Sequence, residues 1–542
     1  MRSPGSREPC ALAGVRNHGQ SCSGPQRGSL WLNLAVTNPE SNERDERDAP
    51  HDQAEAPYAE ALAAKAGREV LDLMVPGHGQ NVEGLSRELA EFAGEQALRM
   101  DVPMLVNGID VGPDSPFARA TRLAAEAWSA RRTWFLCNGA SQANRMTLLA
   151  LAAAGLGGTV VAQRSAHSSF VDGLLLADLK PRFIVPSIDA RLGINHGLTP
   201  EAVDASLSEA RAAGEAVAGV YVISPSYFGA VADVAGLAEV AHRHGVPLIV
   251  DGAWGAHFGF HPSLPESPTR LGADLVVSST HKLGGSLSQS AMLHLGDGDF
   301  AASLEPLLER AYMLTQSTSA SALLLGSLDV ARRSLVQGAE AIGRSIEHVE
   351  ACRERLRADG RFAIVSDGFG AFADIVAADP MRISIDVSAT GLTGLEVRDL
   401  LYAKFDVLVE LATVRAIVAF VGPGKTPNLD RFVDALFALA DRAAPDIGHE
   451  APIPPLPSPG ELMARPREAY FGTHEIVAAA SAAGRVSSDS LAAYPPGIPN
   501  VMPGEIITAE TIAFLQAVAA SPYGYVRGAF DPEVAHFRVL AE

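Results

Sequence analysis

The stretch "ADLVVSSTHKLGGSLSQ" (residues 273–289) places a lysine just after a short apolar run. The run predicts a strand that is buried on both faces, as in a parallel sheet covered by helices. Lysine is almost never fully buried unless its charge is paired, yet Lys282 follows a histidine and precedes Gly284 and Gly285. The lysine therefore belongs to a turn at a strand end, where parallel sheets bind their ligands.

The same pattern extends on both sides of this stretch. Between about residues 120 and 300, short β-rich runs alternate with helical patterns; the runs are "TWFLCNG", "TVVAQ", "FIVPS", "VAGVYVISP", "PLIVDGA" and "ADLVVSS". This alternation predicts an α/β fold in which crossover helices connect a mostly parallel sheet.

The chain divides into four predicted parts. Residues 1–55 are polar and charge-mixed, which predicts a disordered tail. Residues 56–365 form the large domain with its N-terminal segment, in which a helix fits "YAEALAAKAGREVLDLM". Residues 366–450 predict a small α+β domain with strands at "MRISIDVSA", "DVLVELA" and "AIVAFVG". Residues 451–542 contain the Pro-rich linker "APIPPLPSPGE" and a C-terminal domain.

Composition restricts the class of protein. The 542 residues carry a net charge of −20, which argues against a nucleic-acid partner and is compatible with a cationic small substrate. The four cysteines have no metal-ligand spacing and are typical of a reduced, cytoplasmic protein. We find no secretory signal and no apolar run long enough for a membrane span, so we expect a soluble protein.

Three predicted strands end in polar residues: Asp251 ends "PLIVD", His167 lies just beyond "TVVAQ", and Ser279, His281 and Lys282 follow "ADLVVS". An amine and a carboxylate at neighbouring strand ends are costly to desolvate, so they either form a buried ion pair or take part in chemistry. A desolvated lysine can form a Schiff base with a carbonyl, and an opposed carboxylate would keep a pyridine nitrogen protonated. Pyridoxal 5′-phosphate requires both groups.

A phosphate site is predicted at "NGAS" (138–141), a turn that opens a helix. The free N–H groups and the positive dipole end of a helix N-terminus can hold a dianion, and Ser279 could add a hydroxyl. The order of phosphate turn, histidine, aspartate and lysine is more specific than any one of these features.

With these residues in place, the chain resembles the Orn/Lys/Arg decarboxylase family, the bacterial-type basic amino acid decarboxylases on the type I pyridoxal phosphate fold. The resemblance runs from about residue 57 almost to the C-terminus. It is carried by "VPGHG" (75–79), "CNGASQANR" (137–145), "RSAHSSFVDGLLL" (164–176), "SPSYFGAVADVAGLAEVAHRHGVPLIVDGAWGAHF" (224–258), "STHKLGGSLSQSAMLHL" (279–295), "GLTGLEV" (391–397) and "AYPPGIPNVMPGE" (493–505).

The resemblance implies a role for each matching residue. Lys282 would form the Schiff base with the cofactor, Asp251 would pair with the pyridine nitrogen, and His167 would stack on the ring. The other implied contacts line the phosphate or the ring, and they are Ala140, Ser141, Ser279, His281 and Trp254. The proton that replaces CO2 would come from Lys282 or His281.

The family assembles its sites at a homodimer interface, so Thr318 or Ser319 would reach the partner's phosphate. Glu505 would contact the distal cation of the substrate. The implied activity is decarboxylation of arginine, lysine or ornithine to an amine for polyamine biosynthesis, with the choice among the three substrates left open. We expect a cytoplasmic homodimer with no nucleic-acid or membrane partner.

The sequence departs from the family pattern in several places. Gly79 replaces the usual lysine after "PGH", "DGAW" replaces the frequent "DEAH", and "TSASA" (318–322) replaces "TSPSY". Too few residues precede residue 57 for the N-terminal wing domain of the acid-inducible members. The wing-less form implies that the wing-dependent decamer is absent as well.

Other interpretations of the same residues remain. "STHK" fits the S-x-x-K motif of serine acyltransferases, but its companion motif S-D-N is missing. "FVGPGKT" resembles the end of a P-loop, but Ala419 stands where the first glycine belongs. His257 and His261 are spaced like metal ligands on a helix, with Gly259 between them. Aminotransfer, β-elimination and a non-catalytic regulatory paralogue are the remaining alternatives.

Overall fold

The computed structural model describes residues 52–441, 457–494, 498–520 and 524–541. Most of the predicted tail (1–55) and the first part of the predicted Pro-rich linker therefore lie outside the described residues.

The N-terminal part of the described chain is helical. Its helices are α1 (Pro57–Ala66), α2 (Ser86–Ala93), α3 (Glu95–Met100) and α4 (Pro116–Ala127). The predicted helix over "YAEALAAKAGREVLDLM" is wrong beyond Ala66, because the helix ends at Gly67 and the following residues are irregular. Glycine stabilises a helix interior poorly, which favours an end at this point.

The central part of the chain alternates strands and helices as predicted. Its strands are β1 (Arg132–Leu136), β2 (Thr159–Gln163), β3 (Lys180–Ile184), β4 (Ile188–Asp189), β5 (Ile194–Asn195), β6 (Val217–Ile223), β7 (Ala230–Val231), β8 (Leu248–Asp251), β9 (Leu275–Ser278) and β10 (Ala291–Leu295). The helices between them are α5 (Gly139–Ala154), α6 (Ser168–Ala177), α7 (Pro200–Ala212), α8 (Val234–Arg243) and α9 (Thr280–Leu283).

Seven of these strands form one large sheet in the order β1-β10-β9-β8-β6-β2-β3. Strands β3, β2, β6, β8 and β9 are mutually parallel, and β10 runs antiparallel to both of its neighbours. Helices cover both faces: Leu148 and Phe170 pack in one apolar cluster, while Val203 and Leu237 pack in another. Burial on both faces explains why these strands are nearly continuous apolar runs. The predicted mostly parallel α/β sheet is confirmed.

Three long helices, α10 (Ala301–Thr315), α11 (Ala322–Val336) and α12 (Ala339–Asp359), follow the large sheet. They lead to a second, antiparallel sheet, which we call the small sheet, in the order β11-β13-β15-β14. The elements of this part are β11 (Ala363–Ile364), β12 (Ala377–Ala378), β13 (Arg382–Asp386), α13 (Gly394–Phe405), β14 (Leu411–Ala412), β15 (Ala416–Phe420) and α14 (Leu429–Ala440). The strand predicted at "DVLVELA" is reduced to Leu411–Ala412.

The C-terminal part has its own apolar cluster, which includes Leu515 and Phe537. It contains α15 (Pro466–Phe471), β16 (His474–Ala478), β17 (Leu491–Tyr494), β18 (Pro499–Val501), α16 (Ala509–Ala520), β19 (Tyr525–Arg527) and β20 (His536–Leu540). Among the described residues, no helix is both long and apolar enough to cross a membrane.

Candidate active site

The polar strand ends singled out from the sequence meet at one edge of the large sheet. Strand β8 ends at Asp251, and β9 ends just before the short helix α9, which carries Lys282. Strand β2 ends at Gln163, and the chain then reaches His167 at the start of α6. Because these strands are parallel, their carboxyl ends share this edge.

The fold explains the two glycines after Lys282. A Cβ atom at Gly284 would lie 2.6 Å from Cγ2 of Thr280, so only glycine closes the turn of α9 without a clash. Gly285 has a φ of +86°, a conformation that glycine adopts far more readily than other residues. The glycines let the chain leave the strand end sharply, which fixes Lys282 at the sheet edge.

The amine of Lys282 has no hydrogen bond or ion pair with any other described residue. Its Nζ atom lies 4.0 Å from the centroid of the Trp254 ring and 5.9 Å from that of Tyr227. Burial removes water from the amine and lowers the pKa of Lys282 to about 8, although the nearby carboxylate of Asp251 opposes the shift. Near neutral pH the lysine therefore holds a proton that it can exchange readily.

The Asp251 carboxylate is buried and fixed by three donors. Oδ2 accepts hydrogen bonds from the Tyr221 hydroxyl at 2.6 Å and from Asn144 Nδ2 at 3.3 Å, and Oδ1 accepts one from the Ala253 N–H at 3.1 Å. Asn144 also donates to the Ser169 hydroxyl at 3.0 Å, which connects helices α5 and α6 to the carboxylate. The position of Asp251 is thus set by the large sheet and both helices.

The two histidines of the site differ in their hydrogen bonds. His167 caps α6, and its Nδ1 accepts the Ser169 N–H at 3.2 Å. The residue is exposed at the sheet edge, but nearby protein atoms displace part of the water around the imidazole, and this desolvation lowers the pKa of His167. His281 donates from Nδ1 to the Ser290 carbonyl at 2.9 Å, and burial lowers its pKa as well. Both rings are therefore neutral at pH 7, with a ring nitrogen that can act as an acceptor.

The start of α5 offers unpaired donors. The N–H groups of Ala140 and Ser141 lie in the first helical turn and have no acceptor among the described residues, as expected for a helix N-terminus. The hydroxyls of Ser141 and Ser279 likewise have no hydrogen bond within the described chain. Gly139 adopts a φ of +66°, which allows the sharp turn into the helix.

The loop that carries Thr318 and Ser319 lies next to this helix start. Gln142, in the first turn of α5, donates to Gln316 Oε1 at 2.8 Å. Thr318 is exposed and makes no hydrogen bond with a described residue, whereas the N–H of Ser319 donates to Ser317 Oγ at 3.2 Å. The predicted contact of Thr318 with the partner's phosphate stays a prediction.

Glu505 has a different environment from that of the other predicted residues. Its buried Oε2 accepts hydrogen bonds from Arg164 Nη2 at 3.0 Å and from the Met502 N–H at 2.9 Å. Arg164 also donates to the Pro499 carbonyl at 2.7 Å. This ion pair ties the end of β2 to the C-terminal part, and the predicted contact of Glu505 with a substrate cation stays a prediction.

A large cavity of about 430 Å³ lies beside the site rather than around Lys282. It shares Tyr227 with the lysine, and its other walls include His196, Arg415 and Phe514. No acidic residue occurs among the described residues that line it. The cavity therefore suits a cationic side chain poorly.

The sequence reasoning missed several residues that support the site. Tyr221 and Asn144 hold Asp251, and Arg382 stacks on Trp254 with its Cζ atom 4.3 Å from the ring centroid. A tyrosine inside the aliphatic run "VAGVYVI" was a detectable signal for Tyr221. Nothing local distinguishes Arg382, because its partner is 128 residues away in the sequence.

The pair His257 and His261 does not form a metal site in the described structure. His257 is fully buried, and its Nε2 lies 3.0 Å from Asp379 Oδ1. Within the described ranges, no cluster of three or more His, Cys, Asp or Glu side chains could hold a metal ion.

Comparison with known proteins assigns the class. Residues 56–428 match the family described as "Orn/Lys/Arg decarboxylase, major domain", and residues 459–524 match "Orn/Lys/Arg decarboxylase, C-terminal domain". The chain belongs to this family and is a decarboxylase with the type I fold of pyridoxal phosphate enzymes.

Individual relatives agree with this assignment. The chain is 35% identical to the arginine decarboxylase of Bacillus subtilis, over 90% of this chain and 99% of that protein. It is 24% identical to the constitutive lysine decarboxylase of Escherichia coli, over 85% and 76% of the two chains. The structure of the Francisella novicida lysine decarboxylase LdcF superimposes with a TM-score of 0.74 at 19% identity, over 90% of this chain and 81% of that one.

Proposed function

We propose that the protein decarboxylates a basic amino acid, foremost L-arginine, with pyridoxal 5′-phosphate bound to Lys282. The observation that carries the proposal is the Lys282 amine, which has no hydrogen-bond partner among the described residues, has a pKa of about 8 and shares a sheet edge with the carboxylate of Asp251.

The residues at this edge fit the cofactor. The free N–H groups of Ala140 and Ser141 and the hydroxyl of Ser279 suit a phosphate dianion. The Asp251 carboxylate, already anchored by Tyr221, suits a protonated pyridine nitrogen. The unpaired donors thus suit the phosphate of pyridoxal phosphate, and the fixed carboxylate suits its pyridine nitrogen.

Pyridoxal phosphate, when bound, supplies an electron-withdrawing ring that stabilises negative charge at the substrate α-carbon. Asp251 would keep that ring protonated, and His167 would cover one of its faces. A Lys282 side chain that is not bonded to the cofactor is a free amine. Its pKa of about 8 leaves it mostly protonated at pH 7, so it can return a proton to the α-carbon. Neutral His281 has no proton at Nε2 to give, which makes Lys282 the better donor.

The preference for L-arginine rests on the relatives. Arginine decarboxylases of four Bacillus-type bacteria are 32–35% identical to this chain, whereas three lysine decarboxylases are 23–25% identical. The product would be the corresponding amine, a precursor of polyamines.

We further propose that the enzyme acts as a cytoplasmic homodimer. Large apolar side chains are exposed in the segment 71–92 and beside the Thr318 loop, with Leu71 85%, Phe92 90% and Leu314 75% exposed. Exposed apolar surface of this kind marks an interaction site. A second copy of the chain would cover it and bring Thr318 to the neighbouring phosphate.

Release of CO2 from purified protein tests the proposal. L-Arginine, L-lysine and L-ornithine are offered separately, with and without added pyridoxal phosphate, and Lys282→Ala protein serves as the blank. We expect release that depends on the cofactor and is fastest with L-arginine.

The alternatives give different results in the same assay. Aminotransfer would convert the cofactor to its amine form without CO2, and β-elimination would yield ammonia. A non-catalytic paralogue would show the visible absorption of lysine-bound cofactor without any turnover.

A further inference from the structure

Arg382 is a buried cation that the proposed reaction does not use. It begins β13 of the small sheet, and its Nε donates to Asp379 Oδ2 at 3.2 Å. The other oxygen of Asp379 lies 3.0 Å from His257 Nε2 and accepts the Met381 N–H at 2.9 Å. His257, Asp379 and Arg382 are all buried, so this network fixes the guanidinium in one place.

The guanidinium and the Lys282 ammonium contact the same indole. Arg382 Cζ lies 4.3 Å from the centroid of the Trp254 ring, and Lys282 Nζ lies 4.0 Å from it. Arg382 Nη2 also donates to the Trp254 carbonyl at 3.5 Å. Each cation is attracted to the ring face, but two positive charges held on one ring disfavour each other.

Further titratable groups face the lysine. From the large sheet these are the charged Asp251 carboxylate and two imidazoles that are neutral at pH 7, His167 and His281. From the small sheet they are Arg382, which lowers the pKa of Lys282, and Glu410, which raises it.

Glu410 differs from Arg382 in its exposure. It is exposed, and its only hydrogen bond within the described chain is from its N–H to the Val418 carbonyl at 2.9 Å. The small sheet thus places two opposite charges near the amine, of which one is buried and the other is in water.

We propose that Arg382 is a positioning residue for Lys282: through Trp254 it holds the amine in place and favours its uncharged form, so that the lysine reacts with the cofactor near neutral pH. The inference rests on the proposed function, in which the neutral amine condenses with the cofactor aldehyde and releases one water. Glu410 acts in the opposite direction and more weakly, because solvent screens its charge.

The rate of cofactor capture by the apoprotein tests this, since only a neutral amine attacks the aldehyde. The rate at which the visible absorption of lysine-bound cofactor appears is measured between about pH 6 and pH 10, on either side of the shifted and the ordinary lysine pKa. In the wild type we expect the rate to reach half its maximum near pH 8, the pKa of Lys282.

Arg382→Gln removes the buried charge and should move the half-maximum to higher pH. A shift of about one pH unit would slow capture at pH 7 about ten-fold. Arg382→Lys keeps the positive charge and loses only the planar guanidinium that stacks on Trp254. It should restore capture to within about two-fold of the wild type.

Glu410→Gln should move the half-maximum the other way. We expect capture at pH 7 to rise about two-fold, the size of an exposed charge pair, and the difference to vanish at about 1 M salt. Arg398→Gln is the matched control and should change nothing, because this half-buried arginine pairs with Asp399 on α13.

Opposite shifts of the half-maximum in Arg382→Gln and Glu410→Gln would support the inference. A loss of packing alone would not move the half-maximum in opposite directions according to the charge that is removed. Equal half-maxima in wild type, Arg382→Gln and Glu410→Gln, or shifts in the same direction, would overturn it while leaving the proposed function intact. If Arg382→Gln does not fold, the sign and salt dependence of the Glu410→Gln shift decide. Wild-type protein that captures no more cofactor than Lys282→Ala would overturn both proposals.

Discussion

Two cation–carboxylate pairs lie near the carboxyl edge of the large sheet, and they differ in whether the cation and the carboxylate bond to each other. Arg164 and Glu505 bond directly at 3.0 Å, and backbone groups fill further positions on both. Lys282 and Asp251 share a site but no direct bond, and the lysine amine has no hydrogen-bond partner among the described residues. A paired charge holds the fold together, whereas an unpaired amine beside a fixed carboxylate is available for chemistry.

The largest effect should come from removing the unpaired amine. Lys282→Ala should lower CO2 release by about 10³-fold or more, since it removes a proton donor as well as the cofactor bond. Lys180→Ala, which breaks an ion pair with Glu215, is the control and should keep full activity. Comparable activity in the Lys282→Ala and Lys180→Ala proteins would contradict a chemical role for the unpaired Lys282 amine.

Asp251→Asn tests the carboxylate of the same pair. The amide can still accept the Tyr221 hydroxyl, so the fold should survive, while CO2 release falls by about 10²-fold because the cofactor ring loses its proton partner. Asp274→Asn is the contrasting variant. Asp274 is buried just before β9 of the same sheet but bonds His242, so its substitution should lower thermal stability without reducing turnover of the folded enzyme. A fully active Asp251→Asn protein would remove Asp251 from the site.

Breaking the other pair should affect the fold more than the chemistry. Glu505→Gln leaves the Arg164 charge buried without its counter-ion, which should cost about 3–5 kcal/mol of unfolding free energy in a denaturant titration. Glu475→Gln, at an exposed pair with Arg485, should cost less than about 1 kcal/mol. A raised KM for L-arginine with unchanged stability would instead make Glu505 a substrate contact.

The smallest effect should come from the loop of Thr318 and Ser319, which lies next to the start of α5. Thr318→Ala should weaken cofactor binding about five-fold, the worth of one hydrogen bond of about 1 kcal/mol. Mixing Thr318→Ala chains with Lys282→Ala chains distinguishes the two arrangements by cofactor titration. Hybrids with wild-type affinity at the intact site would show that Thr318 acts on its partner, and hybrids with weakened affinity would show that it acts within its own chain.

Local sequence patterns were enough to predict most strands of the large sheet, but not the side chains that surround the site. The apolar runs at Thr159–Gln163, Leu248–Asp251 and Leu275–Ser278 are strands as predicted, because burial on both faces requires continuous apolar residues. The strand end that carries Lys282 followed from the same rule.

Tertiary contacts could not be predicted in this way. Arg382 approaches Trp254 across 128 positions of sequence, and Arg164 approaches Glu505 across 341. No local pattern encodes such pairings. The roles given to the site residues therefore stay predictions, although the structure brings Lys282, Asp251, His167 and His281 to one edge.

The most direct test of the central claim is to identify the residue that bonds to the cofactor. Purified protein is loaded with pyridoxal phosphate and reduced with borohydride, and the modified peptide is mapped by mass spectrometry. The account predicts a single modified lysine, Lys282, in the peptide that contains "STHKLGG". Modification of a different lysine, or no stable modification at all, would contradict it.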